Sequence, residues 1–542
     1  MRPPSFRGIF RDDETARAVY SEGAGISRAI PAAVAVPADG DDLCELVRWA
    51  GEMRAALIPR GSGSGMAGGA VGTGVIVDLS RLTTIASVDV ETKRVFAGVG
   101  ATRSSINDAA RAYGLRFPVD PSSGSFCTIG GMVAANAAGA HSLRYGAMRA
   151  WVTALDCVFA DGSRAMVRRG GAAPRDVAAV SRFLDDVAPR IRDADWGKLE
   201  HRGVRKDSSG YALAAYARSG ELIDLLVGSE GTLAIFLAVE LALAPIAGAT
   251  SSLLVSFESL EGAVEGAAMA RSLDASACEL LDKTFFDVAA EGGSRVVRAG
   301  TEAALLVELE ADTAGEARSR AELVEQAMRR AGASEVRVAL DPVTEAQLWS
   351  VRHAASPTLA RLDPALASMQ LIEDGCVPPD RLPDYVRGVR SALEAHRIRG
   401  VIFGHAGDAH VHVNPLVDTR APDWRARVRD MLDEVIHLTA RLGGTVTGEH
   451  GDGRLRTPLL DRVWPAETIE LFRAVKESYD PGGILNPGVK VPLAGQQPID
   501  DVKYDRSLPS LPDVARAALD RVERERAYDR FRLSLVPEHS TD

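Results

Sequence analysis

Between Asp120 and Gly139 this chain runs through twenty positions with few side chains able to fill a core: Asp120-Pro121-Ser122-Ser123-Gly124, then Thr128-Ile129-Gly130-Gly131-Met132-Val133-Ala134-Ala135-Asn136-Ala137-Ala138-Gly139. Such a segment lies either in a tight sheet corner or against something flat that supplies the missing volume. Two further pieces share this character. After the apolar pair Leu57–Ile58 comes Pro59-Arg60-Gly61-Ser62-Gly63-Ser64-Gly65-Met66-Ala67-Gly68-Gly69, with seven Gly or Ser in eleven residues. Glycines let backbone N–H groups close on an anion, and phosphate is the usual guest of such a nest. No Gly-Lys-Ser/Thr follows, so it is not a Walker loop, nor is it a clean dinucleotide fingerprint. Taken alone, the run reads as a flexible surface loop. The third piece is Lys206-Asp207-Ser208-Ser209-Gly210-Tyr211 with Gly228-Ser229-Glu230-Gly231-Thr232-Leu233.

Around these pieces the pattern alternates. A strand at Ala33–Val36 leads to a helix capped by Asp41 or Asp42, with Leu43, Leu46, Val47 and Ala50 on one face. Strands at Leu57–Ile58 and Val75–Val77 follow, which puts the first glycine loop at the carboxyl side of a strand. Composition shifts near Ile246–Ser251. Beyond it strands at Leu253–Phe257, Ala304–Leu309 and Val336–Leu340 alternate with helices at Leu260–Leu273 and Ala314–Ala331, as in a split βαβ sandwich. Helices near Leu382–His396 and Trp424–Leu442 flank a histidine-rich strand. The polar first residues read as an arm, and Pro512–Leu533 as one amphipathic helix with Leu511, Val514, Ala518 and Val522 on its stripe. The chain divides as an arm 1–29, a first domain 30–245, a second 246–440, a returning segment 441–490 and an extension 491–542.

With 542 residues the chain has ample length to bury its cores without staples. A net charge of −11 argues against a nucleic-acid partner, whose phosphates demand a basic face. No secretory h-region opens the sequence. The most apolar stretch, Leu233–Ala249, is broken by Glu240 and Pro245 too soon to span a bilayer. Five scattered cysteines fit a reducing compartment and exclude a clustered iron–sulfur motif. The expected location is cytoplasmic, or peripheral to the inner membrane.

The second half carries the chemistry. Gly404-His405-Ala406-Gly407-Asp408-Ala409-His410-Val411-His412-Val413-Asn414 puts three imidazoles within eight residues. On a strand, His410, His412 and Asn414 share a face. Gly448-Glu449-His450-Gly451 adds a carboxylate beside a histidine. Two histidines and a carboxylate recur as sites for Zn or a similar divalent ion. Any one of these histidines alone reads as an ordinary buried or surface residue; counting His353 and His437 nearby, six of the chain's ten histidines would have to be idle for that reading to hold for all.

Together, RGSGSGMAGG, DPSSG with TIGGMVAANAAG, and KDSSGY with GSEGTLAI resemble the FAD-linked oxidases and dehydrogenases of the vanillyl-alcohol-oxidase type, over about Ala33 to Lys490. The His-rich and Gly-Glu-His-Gly motifs are similar to those of that family's D-2-hydroxy-acid dehydrogenase branch. The resemblance implies an α+β protein, a two-lobed FAD-binding domain with an α+β cap, and oxidation of a D-2-hydroxy acid of the D-lactate, glycolate or D-2-hydroxyglutarate class. It places cofactor contacts at Arg60, Gly61, Ser62, Gly63, Ser64, Gly65, Asp120, Pro121, Thr128, Gly130, Gly131, Asn136, Gly139, Glu230, Gly231, Ile235 and Asn486. Ser64 stands where members with covalent flavin often carry His, which implies non-covalent FAD. It implies a divalent metal, Zn or Mn, on His405, His412 and Glu449, with His450 as base and Asn414 touching substrate. Arg352, in Trp349-Ser350-Val351-Arg352, becomes the partner of the substrate carboxylate, which a planar guanidinium suits.

Two departures stand out. His410 replaces the branch's usual Asn, as an extra ligand or an altered pocket contact. Ile372 aligns with a Lys found in members that take a distal carboxylate, which speaks against 2-hydroxyglutarate. The chain also resembles the flavin half of large bacterial dehydrogenases in which an iron–sulfur half follows on the same chain, which implies as partners the small 2-hydroxy acid and a separate iron–sulfur or electron-transfer protein; the tail helix could dock that protein or else pack back upon its own domain. The competing readings are a metal-dependent hydrolase using the His/Glu cluster and a non-catalytic flavin-binding subunit.

Overall fold

The structure is a computed structural model that describes residues 3, 5–291, 297–353, 365–500 and 502–537. The strand Ala33–Val36, the helix Gly40–Met53 and the strand Leu57–Arg60 form a right-reading α/β unit whose sheet is completed by Val75–Asp78, parallel to both strands and between them. Leu43, Leu46, Val47 and Ala50 are buried, as their spacing demands. The cap differs from the expectation. Asp39 accepts from the Asp42 N–H, while Asp42 accepts from the N–H groups of Arg7 and Gly8. That contact helps seat Ile9–Arg11 antiparallel on Ala33–Val36, so these residues of the predicted arm are an edge strand. Three residues are too few to show a period.

A second sheet, in the order Arg94–Gly98, Ile235–Ala242, Val152–Val158, Arg164–Arg168, is wholly antiparallel. The two sheets form the first lobe.

The third sheet has the order Ala333–Ala339, Ala249–Phe257, Ala303–Ala311, Ala277–Asp282, Arg399–His405, His410–Asp418, Leu366–Ser368. Its first four strands with the helices Leu260–Ser272 and Ala314–Arg330 make the split βαβ arrangement, strand order four-one-three-two. Residues alternate between faces with period two. Leu253, Val255, Leu305 and Val307 join the cluster that holds Ala263, Ala267, Val324 and Met328 of those helices. Leu254, Ala304 and Leu306 face the other way, under Leu348.

The tail helix runs only Asp513–Glu525 and ends at Arg526 in the left-handed region (φ 53°). Its apolar side packs back on the first lobe: Ala515, Ala518 and Leu519 cluster with Ala16, Val19, Val34 and Ile76. Val514, placed on the stripe from the sequence, is 48% exposed. Among the described residues no helix is long and apolar enough to cross a membrane.

Candidate active site

A cavity of about 930 Å³ lies between the first lobe and the third sheet. Its walls at one side are the three small-residue segments. Gly61, Ser62, Gly63, Ser64, Gly65, Asp120, Pro121, Thr128, Gly130, Gly131, Gly139, Glu230, Gly231 and Ile235 all line it, as does part of Arg60. Small side chains are enforced by close backbone packing: a Cβ on Gly61 would stand 2.0 Å from Thr128 Oγ1, and one on Gly139 would stand 2.2 Å from the Asp120 carbonyl. Thr128 Oγ1 itself is buried without a partner at this wall, a polar atom that a bound group could satisfy.

Several residues assigned to cofactor contact also hold the loops in place. The Arg60 guanidinium donates to the carbonyls of Tyr20, Ala70 and Glu22 (3.1, 3.2 and 2.8 Å), so it fixes the first loop from beneath. Asn486 donates to Gly69 O and Glu230 O (3.0 and 2.7 Å) and does not line the cavity. Asn136, in the left-handed region (φ 51°), accepts from Arg149 N at 3.0 Å and donates to Ser208 Oγ at 3.3 Å, also away from the wall. Glu230 accepts from the N–H groups of Asp452 and Gly453 (2.7 and 3.0 Å) and pairs with Lys490 at 3.0 Å. These buried groups brace three loops against each other.

The opposite wall belongs to the third sheet. Register aligns Glu279 with His405 and His405 with His410, so the three share the sheet face turned from the helices, with His412 and Asn414 following at period two. Glu279, which sequence reading passed over, is fully buried. Its carboxylate binds Arg352 Nε at 2.9 Å and His405 Nδ1 at 2.5 Å. Burial raises its pKa, but the charges of His405 and Arg352 outweigh that and hold it at about 2. Burial likewise lowers His405, and the Glu279 charge more than reverses this, to about 9.

His412 donates Nδ1–H to the Glu373 carbonyl at 2.7 Å, which leaves its Nε2 lone pair inward. His405 Nε2, His412 Nε2 and Glu449 Oε1 then form a triangle with sides of 3.4, 3.5 and 3.2 Å. Ligands about 2.1 Å from a tetrahedral ion stand roughly 3.4 Å apart, so the triangle has the edge lengths of a coordination face. Glu449 is aimed by Lys206, whose Nζ donates to the other carboxylate oxygen at 2.9 Å. Two imidazoles with outer nitrogens anchored, plus an aimed carboxylate, fit a divalent ion.

His410 is in the next layer. Its Nε2 bonds Asp374 at 2.8 Å and its Nδ1 faces Lys206 Nζ at 3.4 Å. Burial and the Lys206 charge push it down to about 3, so it stays neutral. His450 Nδ1 bonds Glu373 at 3.0 Å, its backbone N–H donates to Asp374, and its Nε2 lies 3.7 Å from Glu449. Burial lowers its pKa while Glu373 and Asp374 raise it to about 10. Arg456 braces Glu373 from behind. Arg352 lies with its guanidinium 4.5 Å from the Phe403 ring centroid, and both line the cavity with Asn414 and Gln370. Ile372 is buried in the core, while its neighbours Gln370 and Glu373 reach the wall. His437 is exposed on the helix Trp424–Arg441, away from this cluster, and the side chain of His353 lies outside the described residues.

Lys206, Glu279, Glu373 and Asp374 are thus the working groups that the motifs did not single out. Glu373 and Asp374 sit beside Ile372, and Lys206 opens KDSSGY, so both stood in segments already under scrutiny.

Comparison with known proteins fits this geometry. Residues 31–167 match the FAD binding domain model, and residues 247–489 match the C-terminal domain of FAD linked oxidases. The chain is 31% identical to a D-lactate dehydrogenase of Archaeoglobus fulgidus, over 84% of this chain and 90% of that protein. It is 29% identical to the glycolate oxidase subunit GlcD of Bacillus subtilis, over 88% and 93%. A D-2-hydroxyglutarate dehydrogenase of Pseudomonas putida is 27% identical, over 98% of this chain but 54% of that longer protein. In fold, the 4-ethylphenol oxidase of Gulosibacter chungangensis superposes with a TM-score of 0.65 at 15% identity, over 90% of this chain and 94% of that one. The chain belongs to the FAD-linked oxidases and dehydrogenases of the vanillyl-alcohol-oxidase type, on their D-2-hydroxy-acid dehydrogenase branch, and is an FAD-dependent oxidoreductase.

Proposed function

We propose that the chain oxidises a short D-2-hydroxy acid, of the D-lactate or glycolate class, to the 2-oxo acid. One observation supports this above others: Arg352, His450 and the His405/His412/Glu449 triangle meet on a cavity whose other wall is the set of glycine segments. Residues 30–245 with 441–490 act as the FAD-binding unit and 246–440 as the cap.

In this reading Arg352, held through Nε by Glu279, captures the substrate carboxylate. Asn414 steadies the substrate beside it. His450 keeps its Nδ1 proton against Glu373 and turns Nε2 to the cavity, where it takes the hydroxyl proton. FAD, when bound, accepts the two electrons of the alcohol oxidation. A divalent ion, Zn or Mn, held by His405, His412 and Glu449, would polarise the hydroxyl and oppose the extra proton on His450. Neutral Gln370 at the wall, with Ile372 in the core, leaves that segment without a cation for a second carboxylate, which favours short substrates over 2-hydroxyglutarate.

FAD is held without a covalent link in this reading, because Ser64 offers no ring nitrogen to the flavin; acid precipitation releases the colour to the supernatant. The electrons pass to a separate iron–sulfur or electron-transfer protein, a role supported by the naming of the Bacillus subtilis relative as a subunit. The tail stripe packs on its own lobe, which supports the second of the two readings of the tail. The test is anaerobic bleaching of the flavin against a panel of D- and L-2-hydroxy acids. Bleaching by D-lactate or glycolate is expected; a flavin that no 2-hydroxy acid reduces overturns the reading.

A further inference from the structure

The tail lies outside both family-model matches, which end at residues 167 and 489, yet it reaches the cofactor cavity. Glu523, Arg526 and Tyr528 line the same cavity as the glycine segments. The backbone is bent to bring them there. Arg526 takes a left-handed conformation (φ 53°), a cost for a residue with a Cβ, and this ends the helix and turns the chain inward. Tyr528 then packs its ring at a tilt against Phe126 of the second glycine segment, ring centroids 5.3 Å apart at 35°. The Arg526 guanidinium lies 5.2 Å from the same Phe126 ring centroid; among the described residues it makes no ion pair. Arg103, which donates Nε–H to Val119 O at 2.6 Å, adds a second cation to this wall.

We infer that Arg526 and Tyr528, with Phe126 and Arg103, bind the adenosine diphosphate half of FAD, and that the tail is a strap that retains the cofactor. The flavin ring has to meet the substrate beside His450 and Arg352, so the rest of the molecule lies along the glycine segments toward the wall the tail supplies. That wall has the matching chemistry: two cations for a pyrophosphate and two aromatic rings for a purine or ribose face. The inference rests on FAD binding alone and is independent of the substrate and of the metal.

The test uses full-length, FAD-loaded protein and reads release of flavin on dilution by the rise of its fluorescence. Arg526 is on the surface, so its replacement leaves the core intact. Arg526→Glu is expected to release FAD at least roughly tenfold faster at low salt, the equivalent of one lost charge-assisted contact, with a smaller difference at high salt. Arg526→Lys falls between. The visible bands of the bound flavin stay in place, because the ring end is untouched. Arg81→Glu serves as control; that arginine lies over Phe531 of the same tail and does not line the cavity. Release at the wild-type rate from Arg526→Glu, equal acceleration by Arg81→Glu, or a shifted flavin spectrum would each overturn the inference.

Discussion

His405 and His141 both sit between carboxylates on the wall of one cavity, and they differ in what is left over. His141 bonds Asp120 through Nδ1 at 2.5 Å and Glu308 through Nε2 at 2.6 Å, with its ring stacked on Trp349. Burial lowers its pKa, but the two carboxylates raise it well above the usual range. Both nitrogens are spent on protons, so the ring is a cation that ties the second glycine segment to the strand Ala303–Ala311. His405 spends only Nδ1 on Glu279 and turns Nε2 to a point shared with His412 and Glu449. Proximity of histidine to acid is common to both clusters. Convergence of two ring nitrogens and a carboxylate oxygen on one point belongs to one.

The sharpest way to break the comparison is at the base that belongs to the first cluster. His450→Ala should slow flavin reduction by roughly 10²–10⁴ and leave FAD content unchanged. Stopped-flow bleaching at wild-type rate would remove His450 from the chemistry. Next in size is the metal. Glu279→Gln, which touches no ion directly, should weaken metal affinity by about 10–100-fold, and Glu449→Gln should lose metal that added Zn or Mn partly restores. His141→Gln should keep the wild-type metal stoichiometry in elemental analysis. Equal loss from His141→Gln and Glu279→Gln would erase the distinction between the clusters. A smaller effect, roughly tenfold on KM for the hydroxy acid, is expected from Arg352→Lys, which keeps charge but loses the planar fork; flavin affinity should not move.

The smallest effect is on stability and comes from His141. Its folded pKa lies above the unfolded value of about 6.5, so its contribution is present in full below that pH. It is lost as pH rises through the raised folded value. Wild type should therefore exceed His141→Gln by about 1–3 kcal/mol near pH 6, with the gap closing in alkali. Parallel melting curves at all pH values would show that the ring is not a charged bridge.

Much of the scaffold was legible because its residues repeat. Leu43, Leu46, Val47 and Ala50 announce their helix, and His410, His412 and Asn414 announce a common face. The first donor triangle was legible from motif likeness, since each of its ligands sits in a short recognisable string. Its supporting groups were not. Lys206 meets Glu449 across 243 positions and Glu279 meets His405 across 126, and a single buried charge leaves no period in the sequence. Arg60, Asn136 and Asn486 stood in the right strings, but their side chains serve carbonyls and loops, a distinction that only packing reveals. His437, counted with the cluster from its position, faces solvent on an amphipathic helix.

The placing of Glu449 also has a consequence for how the protein is made. His405 and His412 come from the third sheet, whereas Glu449 stands in the returning segment that Glu230 of the flavin lobe grips through Asp452 and Gly453. A ribosome that has released residues up to 440 has therefore delivered two donors and no third. The triangle closes only when the segment that carries Glu449 is seated against Glu230, so its completion depends on the two lobes being joined and not on the third sheet alone.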